Sequence, residues 1–147
     1  MIIVKTFEEL DEKTKQEFEN MLREFTPDDL VQLILVEAGY EEATMPFEQK
    51  ELQRLLYRNY DRLPTLKKSH VYFKTNGTFP YSPYVERIYQ RLIISHVLQC
   101  LPGYKLANGT REYCAENKAQ PDPIEMEVIK ELGVTFRKKM LGEPVDE

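Results

Sequence analysis

Three times this chain sets a capping residue directly before a proline, at Thr26-Pro27, Ser82-Pro83 and Asp122-Pro123. Proline suits the first turn of a helix, where its missing N–H costs nothing and its fixed φ is already helical. Further prolines stand at Pro46, Pro64 and Pro102. Punctuation this dense predicts short elements rather than long helices. A chain of 147 residues is expected to gather them into a single domain. Its 41% hydrophobic and 31% charged residues suffice for one core and exclude a disordered chain. No apolar run approaches the roughly 18–20 residues needed to cross a bilayer, so no membrane partner is expected. The start, Met1-Ile2-Ile3-Val4-Lys5, is too short and too soon acidic for a signal peptide. Cys100 and Cys114 alone make neither a disulfide framework nor a four-ligand zinc site. A reducing cytoplasm fits these features.

Periodicity fills in the elements. Phe7, Leu10, Phe18, Met21, Leu22 and Phe25 recur at helical spacing and predict a helix over Thr6–Phe25, with Thr6 and Glu9 as a capping box. Thr26-Pro27-Asp28-Asp29 starts a second helix, apolar nearly all round over Leu30–Val36 and stopped by Gly39. Residues 1–42 therefore read as a helical hairpin. Thr44-Met45-Pro46 opens a third helix to about Leu63, ended by Pro64. On it Arg54, Arg58 and Arg62 stand at i, i+4 and i+8, which places them on one exposed face. His70-Val71-Tyr72-Phe73-Lys74 is short, β-branched and aromatic and reads as a strand, followed by a turn at Asn76-Gly77. Ser82-Pro83 launches a helix whose buried side runs from Val85 through His96 and Val97, ended by Pro102-Gly103. Gly103–Leu106 is a second strand, and Asn108-Gly109-Thr110 starts a short helix to about Lys118. Asp122-Pro123-Ile124-Glu125 opens a last helix over 122–141, with Ile124, Val128, Leu132, Phe136 and Met140 as its inner stripe. The tail 142–147 is expected to be loose.

Charge is segregated along the chain. Residues 1–63 carry −7, residues 64–118 carry +5, and residues 119–147 carry −3, within a net charge of −5. The overall value argues against a nucleic-acid partner, but attraction to phosphate depends on the local field. Either the basic middle presents a positive face, or the acidic ends fold over and neutralise it.

The stretch Leu52–Lys118 carries a resemblance. Phe79-Pro80-Tyr81-Ser82-Pro83-Tyr84-Val85 resembles the phrase "GPYSpel" that opens a helix in Panacea-type antitoxin domains and related small prokaryotic winged-helix proteins, with Phe79 where they have glycine. Tyr104-Lys105-Leu106-Ala107-Asn108-Gly109 is similar to their "Y-x-L-T-x-x-G", with alanine for threonine and the glycine one residue early. Ile94-Ser95-His96-Val97-Leu98 stands where they have a helix end. The resemblance implies a mainly α fold with a small β element. Its winged-helix-like core would cover about 46–118, between the N-terminal hairpin and the C-terminal helix. It also implies a homodimer paired through the terminal helices.

Two functions follow. In the first, a small cytoplasmic regulator binds double-stranded DNA. Lys67, Lys68, Lys74, Lys105 and Arg111 would contact phosphate, and Arg87, Arg91 and Tyr84 would face the groove. In the second, the same shape grips a protein target, as an antitoxin or mobile-element inhibitor does, and touches no nucleic acid. The helix is poor in the polar side chains that read bases, with Gln90 and Gln99 its only amides. The apolar run 30–36 and the aromatics Tyr72, Phe73, Phe79, Tyr81, Tyr84 and Tyr89 suit the second function if exposed, and a plain core if not. His70 and His96 have no partner at metal spacing, and both cysteines read as small buried hydrophobes. Nothing pairs a nucleophile with a base, so no enzyme activity, cofactor or metal is expected.

Overall fold

Thr26 begins the first well-defined helix of the computed structural model, which describes residues 12, 24–117 and 119–144. Helix α1 (Pro27–Ala38) has a full capping box. The Thr26 hydroxyl accepts from the Asp29 N–H at 3.3 Å, and the Asp29 carboxylate accepts from the Thr26 N–H at 3.1 Å. Gly39, at φ +97°, closes the helix in the left-handed conformation that glycine adopts without strain. Leu30, Val31, Ile34, Leu35 and Val36 have almost no exposure, so α1 is the buried axis of the fold. The expected helix Thr6–Phe25, and with it the first arm of the hairpin, lies outside the described residues apart from Glu12, Glu24 and Phe25.

The next helix starts later than the sequence predicts. Residues 44–46 are extended, because the residue before a proline is driven out of the α region. Met45 instead exchanges backbone hydrogen bonds with Tyr104 at 3.0 and 2.8 Å. The Tyr40 hydroxyl, deeply buried, donates to the Pro46 carbonyl at 2.6 Å and fixes this edge. Helix α2 then covers Gln49–Arg58, followed by a 3₁₀ turn over Tyr60–Arg62. Pro64 opens a short helix, α3 (Pro64–Lys68), rather than only closing the previous one.

The expected strand at 70–74 does not form. His70 has φ +55°, and the one pairing there is an isolated bridge between Lys74 and Tyr81. A strand needs a ladder of successive pairs, and the segment around Tyr81 meets this one only at Lys74. Helix α4 (Pro83–Ile94) starts as predicted, with the Ser82 hydroxyl accepting from the Val85 N–H at 3.3 Å. It ends early. His96, at φ +63°, is exposed and lies outside the helix, where the sequence reading had it on a buried face.

Strand β1 (Leu98–Leu101) follows and pairs antiparallel with β2 (Gly103–Leu106), in a register running from Leu98↔Leu106 to Leu101↔Gly103. Gly103 is required at the turn: its φ is +88°, and a Cβ would lie 2.5 Å from Thr44 Cγ2. Helix α5 (Thr110–Asn117) leads through a polar break into α6 (Pro123–Met140).

Helix α6 packs along α1, and its buried face is offset from the predicted stripe. Ile124 is 77% exposed, while Glu125, Val128, Ile129, Leu132, Gly133 and Phe136 are buried. Residues at strict i+4 spacing precess by about 40° per step around a helix of 3.6 residues per turn. A stripe drawn that way drifts off the core. Glu125 occupies the inner position because its carboxylate accepts from Thr65, at 3.0 Å from the backbone N–H and 2.6 Å from the hydroxyl. It thereby caps α3. The mainly α architecture with one small two-stranded sheet agrees with expectation.

Candidate interaction surfaces

The eight residues expected to touch DNA do not form one ridge. Arg91 makes a bidentate pair with Asp28, at 2.8 and 2.9 Å. That hydrogen bonding raises the Arg91 pKa further above its ordinary value. Arg111 lies 3.6 Å from Glu37 and 3.4 Å from Glu42, and it donates to the Val36 carbonyl at 3.1 Å. Asp28 and Glu37 are nine residues apart, or about 13 Å along the helix. Arg91 and Arg111 are thus held at opposite ends of α1, farther apart than the roughly 8 Å over which physiological salt screens a charge. Lys67 pairs with Asp61 at 2.9 Å and lies over the Tyr60 ring at 5.8 Å. Lys105 donates to Asn108 at 3.2 Å. Tyr84 is half-buried against the core. Lys68, Lys74 and Arg87 are exposed and have no ion pair to a described residue.

The aromatics fall into three groups. Tyr89 packs with Phe47, ring centroids 5.4 Å apart, and its hydroxyl lies 3.2 Å from that of Tyr104. Phe79 meets Tyr81 edge-on. Tyr72 and Phe73 belong to a different group with Tyr57 and Tyr60. The apolar run 30–36 is core and offers no surface to a partner. Cys114 is buried as expected, but Cys100 is exposed on the hairpin. His70 and His96 are both exposed.

Two of the concave surfaces among the described residues share Arg58 of α2. The first is a cleft of about 330 Å³ between α2 and α6, lined by Arg54, Arg58, Arg62 and Lys139 with Glu51 and Glu131. Burial alone would raise the Glu51 pKa, but Lys139, with Nζ at 3.0 Å, and Arg54 outweigh it and hold the carboxyl below its ordinary value. Arg62 donates to both oxygens of Glu131 and to Asn59 Oδ1 at 2.9 Å. Its hydrogen bonding keeps Glu131 below the ordinary carboxylate value. Arg54 and Lys139 thus share Glu51, and Arg62 is held by Glu131. The i, i+4, i+8 arginine spacing was visible in the sequence. That Lys139 would join it was not, because Arg62 and Lys139 are far apart in the chain and meet only through packing of α6.

The second surface is a groove of about 550 Å³ lined by Tyr57, Arg58, Tyr60, Asp61, Val71, Tyr72 and Phe73. Phe73 lies edge-on to Tyr57 at 5.6 Å and to Tyr60 at 6.2 Å. The Tyr60 hydroxyl donates to the Val71 carbonyl at 2.7 Å and pins the segment in place. Tyr57 and Tyr72 are 43% and 59% exposed.

Among the described residues no group of histidine, cysteine and carboxylate side chains could hold a metal ion, and no helix is long and apolar enough to cross a membrane. Comparison with family models, with curated proteins and with solved structures finds no match to this chain.

Proposed function

We propose that the chain is a winged-helix-like module that works by binding a protein. The architecture is supported by α4 running directly into the β1–β2 hairpin, the arrangement a recognition helix and wing require. The choice of partner rests on one observation. Arg91 and Arg111, two of the three arginines expected to contact DNA, are engaged by Asp28, Glu37 and Glu42 of the acidic first segment. A phosphate approaching either arginine must displace a carboxylate already in place, and it meets that carboxylate's repulsion. A cytoplasmic setting suits a module of this kind with an exposed Cys100.

Duplex DNA tests this directly. Anisotropy of a labelled duplex is measured from low to physiological salt. Phosphate binding weakens with a log–log slope near −0.9 per neutralised phosphate. The expected result is no such binding. A second reading, DNA contact through Lys68, Lys74 and Arg87, is favoured by their exposure and by the lack of an ion pair from them to any described residue. Steep salt-dependent binding that is lost in Arg87→Ala would establish it and overturn the protein-binding proposal.

A further inference from the structure

Two Asn-Gly dipeptides stand in turns of this chain, Asn76-Gly77 and Asn108-Gly109. Asparagine before glycine carries a latent reaction of its own, because no side chain on the glycine shields the backbone nitrogen that can attack the neighbouring amide. The two sites differ in what holds them. We propose that Asn76 is a self-modifying site, converted without an enzyme to aspartyl and isoaspartyl forms in the folded protein, and that Asn108 is protected by its turn. The proposal is independent of the partner assigned above.

Attack needs the glycine nitrogen to swing to the side of the asparagine's own Cβ, so the backbone must turn about the Cα–C bond. Around Asn76 no described residue restrains it. Residues 75–78 are exposed, and neither the Asn76 side chain nor the Gly77 N–H is hydrogen-bonded to a described residue. A Cβ at Gly77 would meet no atom within 4 Å. The loop is anchored only at its base, where the backbones of Lys74 and Tyr81 pair at 2.7 and 2.9 Å. Asn108 is held more closely. The Thr110 N–H donates to the Ala107 carbonyl at 3.2 Å and Gly109 has φ +88°, the form of a type II turn with Asn108 at its second position. That turn sets ψ of Asn108 near +120°, which keeps the Gly109 nitrogen away from the Asn108 side chain. The Asn108 Oδ1 also accepts from Lys105 Nζ at 3.2 Å.

At Asn76 the Gly77 nitrogen bonds to Cγ, the Cγ–Nδ2 bond breaks, and ammonia leaves with the amide proton, closing a five-membered succinimide. Water opens the ring at either carbonyl and leaves an aspartate or an isoaspartyl link through the side chain. Nothing is oxidised or reduced, and water is the only co-reactant. Each event puts a carboxylate two residues from Lys74, an exposed cation with no ion pair to a described residue.

The test incubates the intact chain at mildly alkaline pH, folded and in urea, and maps its peptides by mass spectrometry. Isoaspartate is read separately, by methyl transfer from labelled S-adenosylmethionine with an isoaspartyl methyltransferase. In the folded protein the peptide holding Asn76 is expected to gain about 1 Da, and to do so about tenfold or more faster than the peptide holding Asn108, whose turn must first open. In urea both turns are lost and the two rates should agree within about twofold. The rate at Asn76 should rise with pH, because the attacking nitrogen must lose its proton. Gly77→Val is compatible with the fold, since Gly77 lies outside the left-handed region and has open space around it; it is expected to suppress the reaction at Asn76 alone and to leave the melting temperature unchanged. Asn76 remaining intact in the folded protein, Asn108 keeping pace with it there, or an unchanged rate in Gly77→Val would overturn the assignment.

Discussion

Gly133→Ala separates two effects of opposite sign. Gly133 lies in the interior of the 18-residue helix α6, where replacing glycine by alanine is worth about 1 kcal/mol of helix propensity. Propensity alone therefore predicts a more stable protein. Packing predicts the reverse. A Cβ at Gly133 would stand 2.5 Å from Glu37 Cβ, 2.9 Å from the Glu37 carbonyl carbon and 3.0 Å from the Ala38 nitrogen. Carbon atoms pack at about 3.5–4.0 Å, so α6 must move off α1 by about 1 Å. Two of the three obstructing atoms are backbone and cannot swing aside. The interface that must open includes Ile129, Leu132 and Phe136, all buried. Overpacking costs about 1–3 kcal/mol, and the unyielding backbone here places this site at about 2–3 kcal/mol. After the propensity gain, the net loss is expected at about 1–2 kcal/mol. At about 4 °C per kcal/mol for a domain of this length, the melting temperature falls by roughly 4–8 °C. Thermal and urea unfolding followed by circular dichroism measure it. Val134→Ala, at the half-exposed neighbouring position, serves as the control and is expected to cost far less. A Gly133→Ala protein as stable as the parent, or more so, would refute the close crossing of α1 and α6.

Three other perturbations probe separate contacts. Glu125→Ala leaves the Thr65 N–H and hydroxyl without their buried acceptor, so urea unfolding should show a loss of about 1–3 kcal/mol; a change within error would mean that α3 does not depend on this cap. The Asp28–Arg91 pair is half exposed, and a double-mutant cycle on stability should give a coupling of about 0.2–1 kcal/mol, with a sharp drop in melting for Arg91→Ala alone counting against a surface role. Glu131 titrates below its ordinary value because Arg62 hydrogen-bonds to it. Its small stabilising contribution is therefore complete above the ordinary carboxylate pKa and is lost as pH falls through the lowered folded value. In Arg62→Ala the Glu131 carboxyl resonance should titrate higher, and an unmoved midpoint would contradict the pairing.

What the sequence discloses depends on how far apart the deciding residues lie. The starts of α1, α4 and α6 are legible because a cap is settled by Thr26, Ser82 or Asp122 and the three residues that follow. Strand β1 is not. Leu98–Leu101 continues an apolar pattern that suits a helix, and it becomes a strand only because Gly103 turns the chain back and Leu106 pairs with Leu98. The predicted strand at 70–74 has the right composition, but its one backbone pairing is Lys74 with Tyr81. Ile124 and Glu125 exchange roles for a similar reason: the partner that makes a buried glutamate acceptable, Thr65, lies on another helix. The arginine spacing on α2 is local and was readable, whereas the cleft depends on where α6 brings Lys139 and Glu131.

The segregated charge has the same logic on a longer scale. Acidic residues of the first segment meet cations of the middle at Asp28–Arg91 and at Glu37 and Glu42 with Arg111. The last segment meets the first at Glu131–Arg62 and Lys139–Glu51. Apart from the largely covered carboxylates of Glu51 and Glu37, these groups are exposed, and exposed pairs are worth at most about 1 kcal/mol each. Their effect is on the field. They neutralise Arg91 on α4 and Arg111 at the start of α5, while Arg87 has no ion pair to a described residue. In the cleft between α2 and α6, Arg54 and Lys139 share Glu51, and Arg62 is held by Glu131. A phosphate guided by charge therefore finds Arg91 and Arg111 already engaged by carboxylates.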